Sequence, residues 1–382
     1  MSLEEFLKEW RSDSPYVTVH TSGSTGTPKA IEVEKRRMEA SARITCSFLG
    51  LHPGDTALLC LPLDYIAGKM MVVRALTCGL RLVSVPPSSH PLGSGEWRVE
   101  NGEFATAVPS AANSAVARSA SPLGSSKNST LYTLHSTLYT LHSTLDFAAM
   151  VPLQVWNSLQ VEEERERLKA IRHLIIGGGA IDDALAQQLK DLPNAVWSTY
   201  GMTETLSHIA LRRLSGPDAT EWYTPFEGVS VSLNADGCLV IDAPAVHDGP
   251  LVTNDIAELR PPLPSEGAEG RLFRILGRKD NVICSGGIKI QAEEVERRLR
   301  PHLSAPFCIT QCQDPRLGEA VVLLTEQTDA ESLRPLCEQA LPRLWKPRHY
   351  VSVDAIPLTA TGKIARAEAR KIANNEIVYE KK

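Results

Sequence analysis

Residues 21–29 read Thr21-Ser22-Gly23-Ser24-Thr25-Gly26-Thr27-Pro28-Lys29. Hydroxyl side chains, two glycines and one lysine are gathered in nine positions. Glycines let successive backbone N–H groups turn toward one point, hydroxyls add donors, and a lysine adds charge. Such a set suits a polyphosphate. The Walker pattern G-x-x-x-x-G-K-[ST] does not fit it. A flexible linker is the plain alternative. Linkers are not usually set between β-branched runs, and here "YVTV" precedes the loop and "IEV" follows it. The stretch therefore predicts strand, loop, strand rather than strand, loop, helix.

Working outward, residues 3–11 and 35–49 carry amphipathic helical patterns. A buried strand is expected over 55–63, an apolar helix over 66–78 and a strand over 80–85. Residues 86–128 are rich in Pro, Ser, Gly and Ala, and "STLYTLH" then occurs twice, at 129–135 and 136–142. Its leucines keep heptad spacing, but two copies are too few for a coiled coil. The region reads as a flexible insertion over 98–145 that feeds a helix at 144–160. "HLIIGGGAI" (173–181) predicts a buried strand and a glycine turn, with a helix at 182–190. Strand and loop follow at 195–205, β-rich chain at 208–276, and a helix at 292–300.

At 382 residues the chain is long enough for one large domain and one small one. A boundary near 280 gives a large α/β domain, 1–279, and an α+β C-terminal lobe, 280–382. The net charge of −5 argues against a nucleic-acid partner, and an aromatic share of 5% against a single-strand stacking platform. The cysteines are scattered without a C-x-x-C pair, which reads as reduced core thiols. No secretory pattern opens the chain and no run of ~18 apolar residues occurs, so a cytoplasmic protein without a membrane span is expected.

The loop at 21–29 resembles the [ST]-S-G-[ST]-T-G-x-P-K-G signature of the adenylate-forming (AMP-binding) superfamily of acyl-CoA synthetases and adenylation domains; Ala30 replaces its final glycine. Further signatures follow in the superfamily's order. Tyr200-Gly201-Met202-Thr203-Glu204 is similar to Y-G-x-T-E, and Gly177-Gly178-Gly179-Ala180 to its Gly-rich turn. Val252-Thr253-Asn254-Asp255 resembles a T-G-D turn in which Asn stands for Gly; both residues tolerate positive φ, so a turn is expected to survive. Gly277-Arg278-Lys279-Asp280 resembles G-R-x-D, and Pro357-Leu358-Thr359-Ala360-Thr361-Gly362-Lys363-Ile364 resembles P-x-T-x-[ST]-G-K-[IVL].

The resemblance implies an α/β adenylate-forming fold that lacks most of its usual first subdomain and ends in a small mobile lobe. It implies ATP, Mg²⁺ and CoA as cofactor and co-substrates. Phosphates would be held by Thr21, Ser22, Gly23, Ser24, Thr25, Gly26, Thr27 and Lys29. Nucleotide would be bound by Gly177, Gly178, Gly179, Tyr200, Gly201, Asp255 and Arg278. Lys363, Thr203 and the Mg²⁺ ligand Glu204 would be catalytic, Asp280 the hinge, and Gly286 and Gly287 the CoA tunnel.

"LPLDYIAGKMMVVRAL" (61–76) resembles the acyl-pocket segment, with Tyr65 where histidine is common. Lys69 and Arg74 fall on a helix that is otherwise apolar, and buried cations need anionic partners. A protein carboxylate is expected to satisfy one of them, and a second carboxylate on the substrate the other. In this respect the segment resembles the o-succinylbenzoate–CoA ligases of menaquinone biosynthesis. Another acyl- or aryl-CoA ligase, an enzyme loading a carrier protein, and a non-enzymatic adenylate sensor stay open as alternatives. A homodimer is compatible with the shortened fold.

Overall fold

The computed structural model describes residues 1–20, 30–93, 97–101, 135–139, 145–179, 181, 183–260, 271–359 and 364–379. Strands Tyr16–His20 and Ala30–Glu34 pair antiparallel, with His20 opposite Ala30. The phosphate-loop signature therefore closes a hairpin, as its β-branched flanks predicted. The loop itself lies outside the described residues.

The main sheet has nine strands among the described residues. From one edge they run Thr224–Pro225, His208–Arg213, Ala195–Gly201, His173–Ile176, Phe147–Met150, Thr56–Leu59, Arg81–Ser84, Trp97–Asn101 and His135–Tyr139. The five central strands are parallel. Parallel strands need crossovers, and helices Ile66–Cys78, Pro152–Gln160, Glu162–Lys169 and Asp183–Lys190 lie in those connections. Burial on both faces explains the continuous apolar runs "TALL", "FAAM" and "HLII".

Two expectations are corrected here. Residues 144–160 are not one helix: Phe147–Met150 is a central strand, and the helix begins at Pro152. Four buried apolar residues fit between parallel neighbours, and proline's fixed φ suits the first helical position. Nor is the expected insertion, 98–145, all loop. Trp97–Asn101, at its start, and His135–Tyr139 pair antiparallel and extend the sheet edge, so part of the second repeat copy is strand.

A four-stranded antiparallel sheet over 230–278 follows, its first hairpin turning at Asn234–Gly237 as "NADG" predicted. Beyond it, Val282–Ser285, Ile288–Gln291, Phe307–Asp314, Gly318–Thr325 and His349–Ser352 form a five-stranded sheet. The large apolar core reaches no further than Phe273. Two smaller cores begin at Ile283 and Cys308 and lie on opposite faces of the last sheet. Alternation along Gly318–Thr325 makes this possible: Val321 and Leu323 join one core, Ala320, Val322 and Leu324 the other.

Candidate active site

In a parallel sheet, ligands sit beyond the carboxyl ends of the strands. Strand His173–Ile176 ends there in Gly177–Gly179, and strand Ala195–Gly201 runs there into Met202–Glu204. Both turns need glycine for space. A Cβ on Gly177 would lie 2.4 Å from Thr199 Oγ1, and Gly178 has φ +79°. A Cβ on Gly201 would lie 2.2 Å from the Ser207 carbonyl oxygen and 2.4 Å from His208 Cα. Backbone cannot retreat as a flexible side chain can. Gly201→Ala should therefore lower unfolding free energy by about 3 kcal/mol, read as the urea midpoint. An unchanged midpoint would mean that 201–208 can shift freely.

The turn after Gly201 separates two chemistries. Thr203–Thr205 forms a single 3₁₀ turn, and Leu206 is left-handed at φ +62°. A buried leucine in that region is strained. The buried Thr205 hydroxyl donates to the Ser207 carbonyl at 2.7 Å and holds the turn. Glu204 is exposed and has no described partner. No cluster of three or more His, Cys, Asp or Glu among the described residues could hold a metal alone. A lone free carboxylate still fits Mg²⁺, which takes one or two carboxylates and completes its shell with water and substrate phosphate.

Ser207, three residues on, belongs to a buried relay. Arg74 Nη2 donates to Ser207 Oγ at 2.7 Å. Ser207 Oγ meets His208 Nδ1 at 3.1 Å, His208 Nε2 meets Thr45 Oγ1 at 3.1 Å, and Thr45 donates to the Ser41 carbonyl at 3.1 Å. These directions are consistent only with an imidazole protonated at Nε2. Burial first, and the Arg74 charge second, hold His208 well below its usual pKa, so it is neutral.

Arg74 is 2% exposed, and its Nε has no partner. No described carboxylate pairs with it. Burial lowers its pKa to about 10, and the nearby Cys46 and Cys78 thiols offset this only in part. Lys69 differs. Its ammonium donates to the Thr18 carbonyl at 2.5 Å and lies 3.8 Å from Glu9 Oε2. Of the two helix cations, Lys69 is the one a protein carboxylate satisfies. Tyr65 is the N-terminal flank of the same helix and is partly exposed.

Asp255 lies opposite Arg278 across two paired strands. It accepts from Tyr200 Oη at 2.7 Å and from Arg278 Nη1 at 3.3 Å. Burial and then the Asp255 charge push the Tyr200 phenol upward, so it remains a donor. Its ring packs edge-on against Phe273, with centroids 5.1 Å apart. The turn expected at 252–255 is not observed. Leu251–Leu259 is one extended strand, and Asn254 does not have positive φ. Val252 pairs with Val240 on one side and Asp255 with Arg278 on the other, and the irregularity between these pairs is taken up within an extended strand rather than as a turn. Asn254 instead donates to Asp280 Oδ2 at 3.3 Å, and Arg278 Nη2 reaches the same oxygen at 3.0 Å.

Gly286 and Gly287, at φ +58° and +84°, make the turn between Val282–Ser285 and Ile288–Gln291. This turn borders a cavity of about 540 Å³ lined also by Trp345, Arg343, Lys346 and Arg348. Lys363 lies outside the described residues, but its stems are held. Leu358 bridges Ile364, and Ala365 N–H donates to the Pro357 carbonyl at 2.8 Å.

The sequence reading missed Thr45, Ser207 and His208. Ser207 and His208 lie three and four residues past the quoted motif, and a polar pair ahead of "IAL" was the available signal. Thr45 gave none, since its partner lies 163 residues away.

Residues 4–243 match the AMP-binding enzyme family. The chain belongs to this family. Its structure is similar to that of an acyl-CoA synthetase (AMP-forming)/AMP-acid ligase II-like protein from Dyadobacter fermentans, at 29% identity and TM-score 0.56, covering 96% of this chain and 92% of that one. In sequence it is similar to the 2-succinylbenzoate–CoA ligase of Salmonella typhimurium, 26% identical over 96% of this chain and 70% of the relative. The o-succinylbenzoate–coenzyme A synthetase of Bacillus subtilis, solved with ATP and magnesium, shares the fold at 19% identity and TM-score 0.62, covering 92% and 69%. No helix among the described residues is long and apolar enough to cross a membrane.

Proposed function

We propose that this enzyme is an ATP-dependent acid–thiol ligase that joins o-succinylbenzoate, or a close aromatic keto-dicarboxylate, to CoA in the cytoplasm. The observation that carries this is Arg74, a fully buried guanidinium with no described carboxylate, hydrogen-bonded to Ser207 just past Glu204. A monocarboxylic acid consumed at its only carboxylate leaves that charge unmatched. A dicarboxylate reacts at one end and neutralises Arg74 with the other. The names of the relatives support the same reading.

In the first half-reaction a carboxylate oxygen attacks the α-phosphorus of ATP. A C–O–P bond forms, the α–β phosphoanhydride bond breaks, and pyrophosphate leaves. Loop 21–29 and Lys363 would hold the phosphates and the developing charge, and Thr203 would contact the α-phosphate. Asp255, oriented by Tyr200 and Arg278, accepts from the ribose hydroxyls. Glu204 would hold Mg²⁺, which neutralises phosphate charge. In the second half-reaction the CoA thiol gives its proton to solvent and its sulfur attacks the acyl carbon, a C–S bond forms, and AMP leaves with the C–O electrons. Residues 280–382 rotate about Asp280 between the two steps, exchanging the Lys363 loop for Gly286–Gly287. The cations beside Gly286 favour a phosphorylated thiol over an unphosphorylated one.

ATP–pyrophosphate exchange over a panel of mono- and dicarboxylic acids, followed by CoA addition, tests this. o-Succinylbenzoate should support exchange and then thioester formation. Exchange with monocarboxylic acids alone would make the enzyme another acyl-CoA ligase. Exchange without thioester until a carrier protein is added would make it a loading enzyme.

A further inference from the structure

Helix Ala292–Leu299 buries a carboxylate among its apolar residues. Glu296 is 4% exposed, next to the fully buried Val295. An unpaired carboxylate there would be expensive, and Arg366 supplies the partner as a fork. Its Nη1 meets Oε1 at 2.7 Å and its Nη2 meets Oε2 at 2.7 Å. The pair does a second job. Strand Phe307–Asp314 is the outermost of its sheet, and the backbone N–H and C=O of Ile309, whose side chain is in the core, point to its free edge. Ile309 N–H donates to Glu296 Oε1 and Arg366 Nη1 donates to the Ile309 carbonyl, both at 2.7 Å. One ion pair thus ties a helix, an edge strand and the start of the last helix, Arg366–Tyr379. Arg366 stands three residues beyond Lys363.

The other end of helix Ala292–Leu299 grips the junction. Gln291 Nε2 donates to the Arg278 carbonyl at 2.9 Å and to Glu293 Oε2 at 2.6 Å, and Asn281 Nδ2 donates to Glu293. The Gln291 amide fills the place of a Cβ on Gly277, only 2.2 Å from it. Glu293 also lies 4.0 Å from Arg366. A continuous set of polar contacts therefore runs from residues 277–281, along one helix, to the stem of the Lys363 loop.

We propose that Glu296 and Arg366 are positioning residues that fix the stem of the Lys363 loop to the junction helix, so that movement at 278–281 is transmitted to the lysine without slack. This rests on the adenylation role proposed for Lys363. The test is Glu296→Gln and Arg366→Lys in the full chain, with each half-reaction measured separately. ATP–pyrophosphate exchange should lose about 10- to 100-fold in kcat, as displacements near 1 Å do, with KM for ATP unchanged. Thioester formation from supplied acyl-adenylate should be retained. Parallel loss of both half-reactions would overturn the proposal and leave the pair a structural staple. Lys363→Ala is run alongside. If that variant keeps exchange, the reading of the lysine and this proposal fall together. If it loses exchange while Glu296→Gln and Arg366→Lys keep it, the positioning role alone falls. Should Glu296→Gln not fold, Arg366→Lys decides by the same split, because it keeps the charge and loses the fork.

Discussion

Lys363→Ala should reduce ATP–pyrophosphate exchange by on the order of 100- to 1000-fold, the range for removing one group that stabilises transition-state charge. Formation of the thioester from pre-formed acyl-adenylate should stay close to wild type. The asymmetry is the informative part. A lysine needed in both steps, or one whose loss unfolds its lobe, would depress both rates together. The lobe itself gives little reason to expect unfolding. Its two cores are apolar and begin at Ile283 and Cys308. Leu358, Ile364 and Ala365 hold the loop stems through backbone contacts that an alanine at 363 leaves alone. Rapid-quench measurement of each half-reaction checks the result, and equal losses would refute the lobe rotation.

The parts of this site that were legible in the sequence are those where chemistry dictates local composition. A glycine-rich turn after an apolar strand, as at Gly177–Gly179, records a need for backbone space, and the alternation in "YVTV" records a strand. The helix over Ile66–Cys78 was legible with its two buried cations. What was illegible depends on pairing across the chain. Asn254 looked like a turn residue because its neighbours match a turn motif. Two flanking strands, contributed by residues up to 24 positions away (Asp255 opposite Arg278 is one such pair), make it extended. Phe147–Met150 looked helical because a repeat with leucines at heptad spacing leads into it, whereas its parallel neighbours decide its state. The partner of Lys69 was likewise hidden. Glu9 is an ordinary surface-type residue in an amphipathic helix until the fold brings it within 3.8 Å of the ammonium.

Arg74→Met should make the ligand-free protein more stable and the enzyme worse. Burial lowers the Arg74 pKa well below the ordinary guanidinium value, to about 10. At about 1.4 kcal/mol per pKa unit, that corresponds to roughly 3 kcal/mol against the charged folded form. The sign follows from linkage. A base with a depressed folded pKa destabilises the fold fully below that pKa, and the penalty lifts only as pH rises above about 10 toward the ordinary guanidinium value. At neutral pH the whole penalty applies, and an apolar side chain of similar length removes it. Against this stands the donor lost to Ser207 Oγ, worth about 1.5–3 kcal/mol for a hydrogen bond to a charged group. The balance favours the variant by about 1 kcal/mol, measurable as a higher urea midpoint without substrates. Activity should move the other way. A charge-assisted contact of about 1.5–3 kcal/mol predicts KM for o-succinylbenzoate raised by about 10- to 100-fold, with monocarboxylic acids unaffected. Such opposition is expected where a binding site is held in a costly state for its ligand. If the variant instead loses stability and leaves KM unchanged, Arg74 is an anchor for the Ser207–His208 relay, and the second carboxylate must be sought elsewhere.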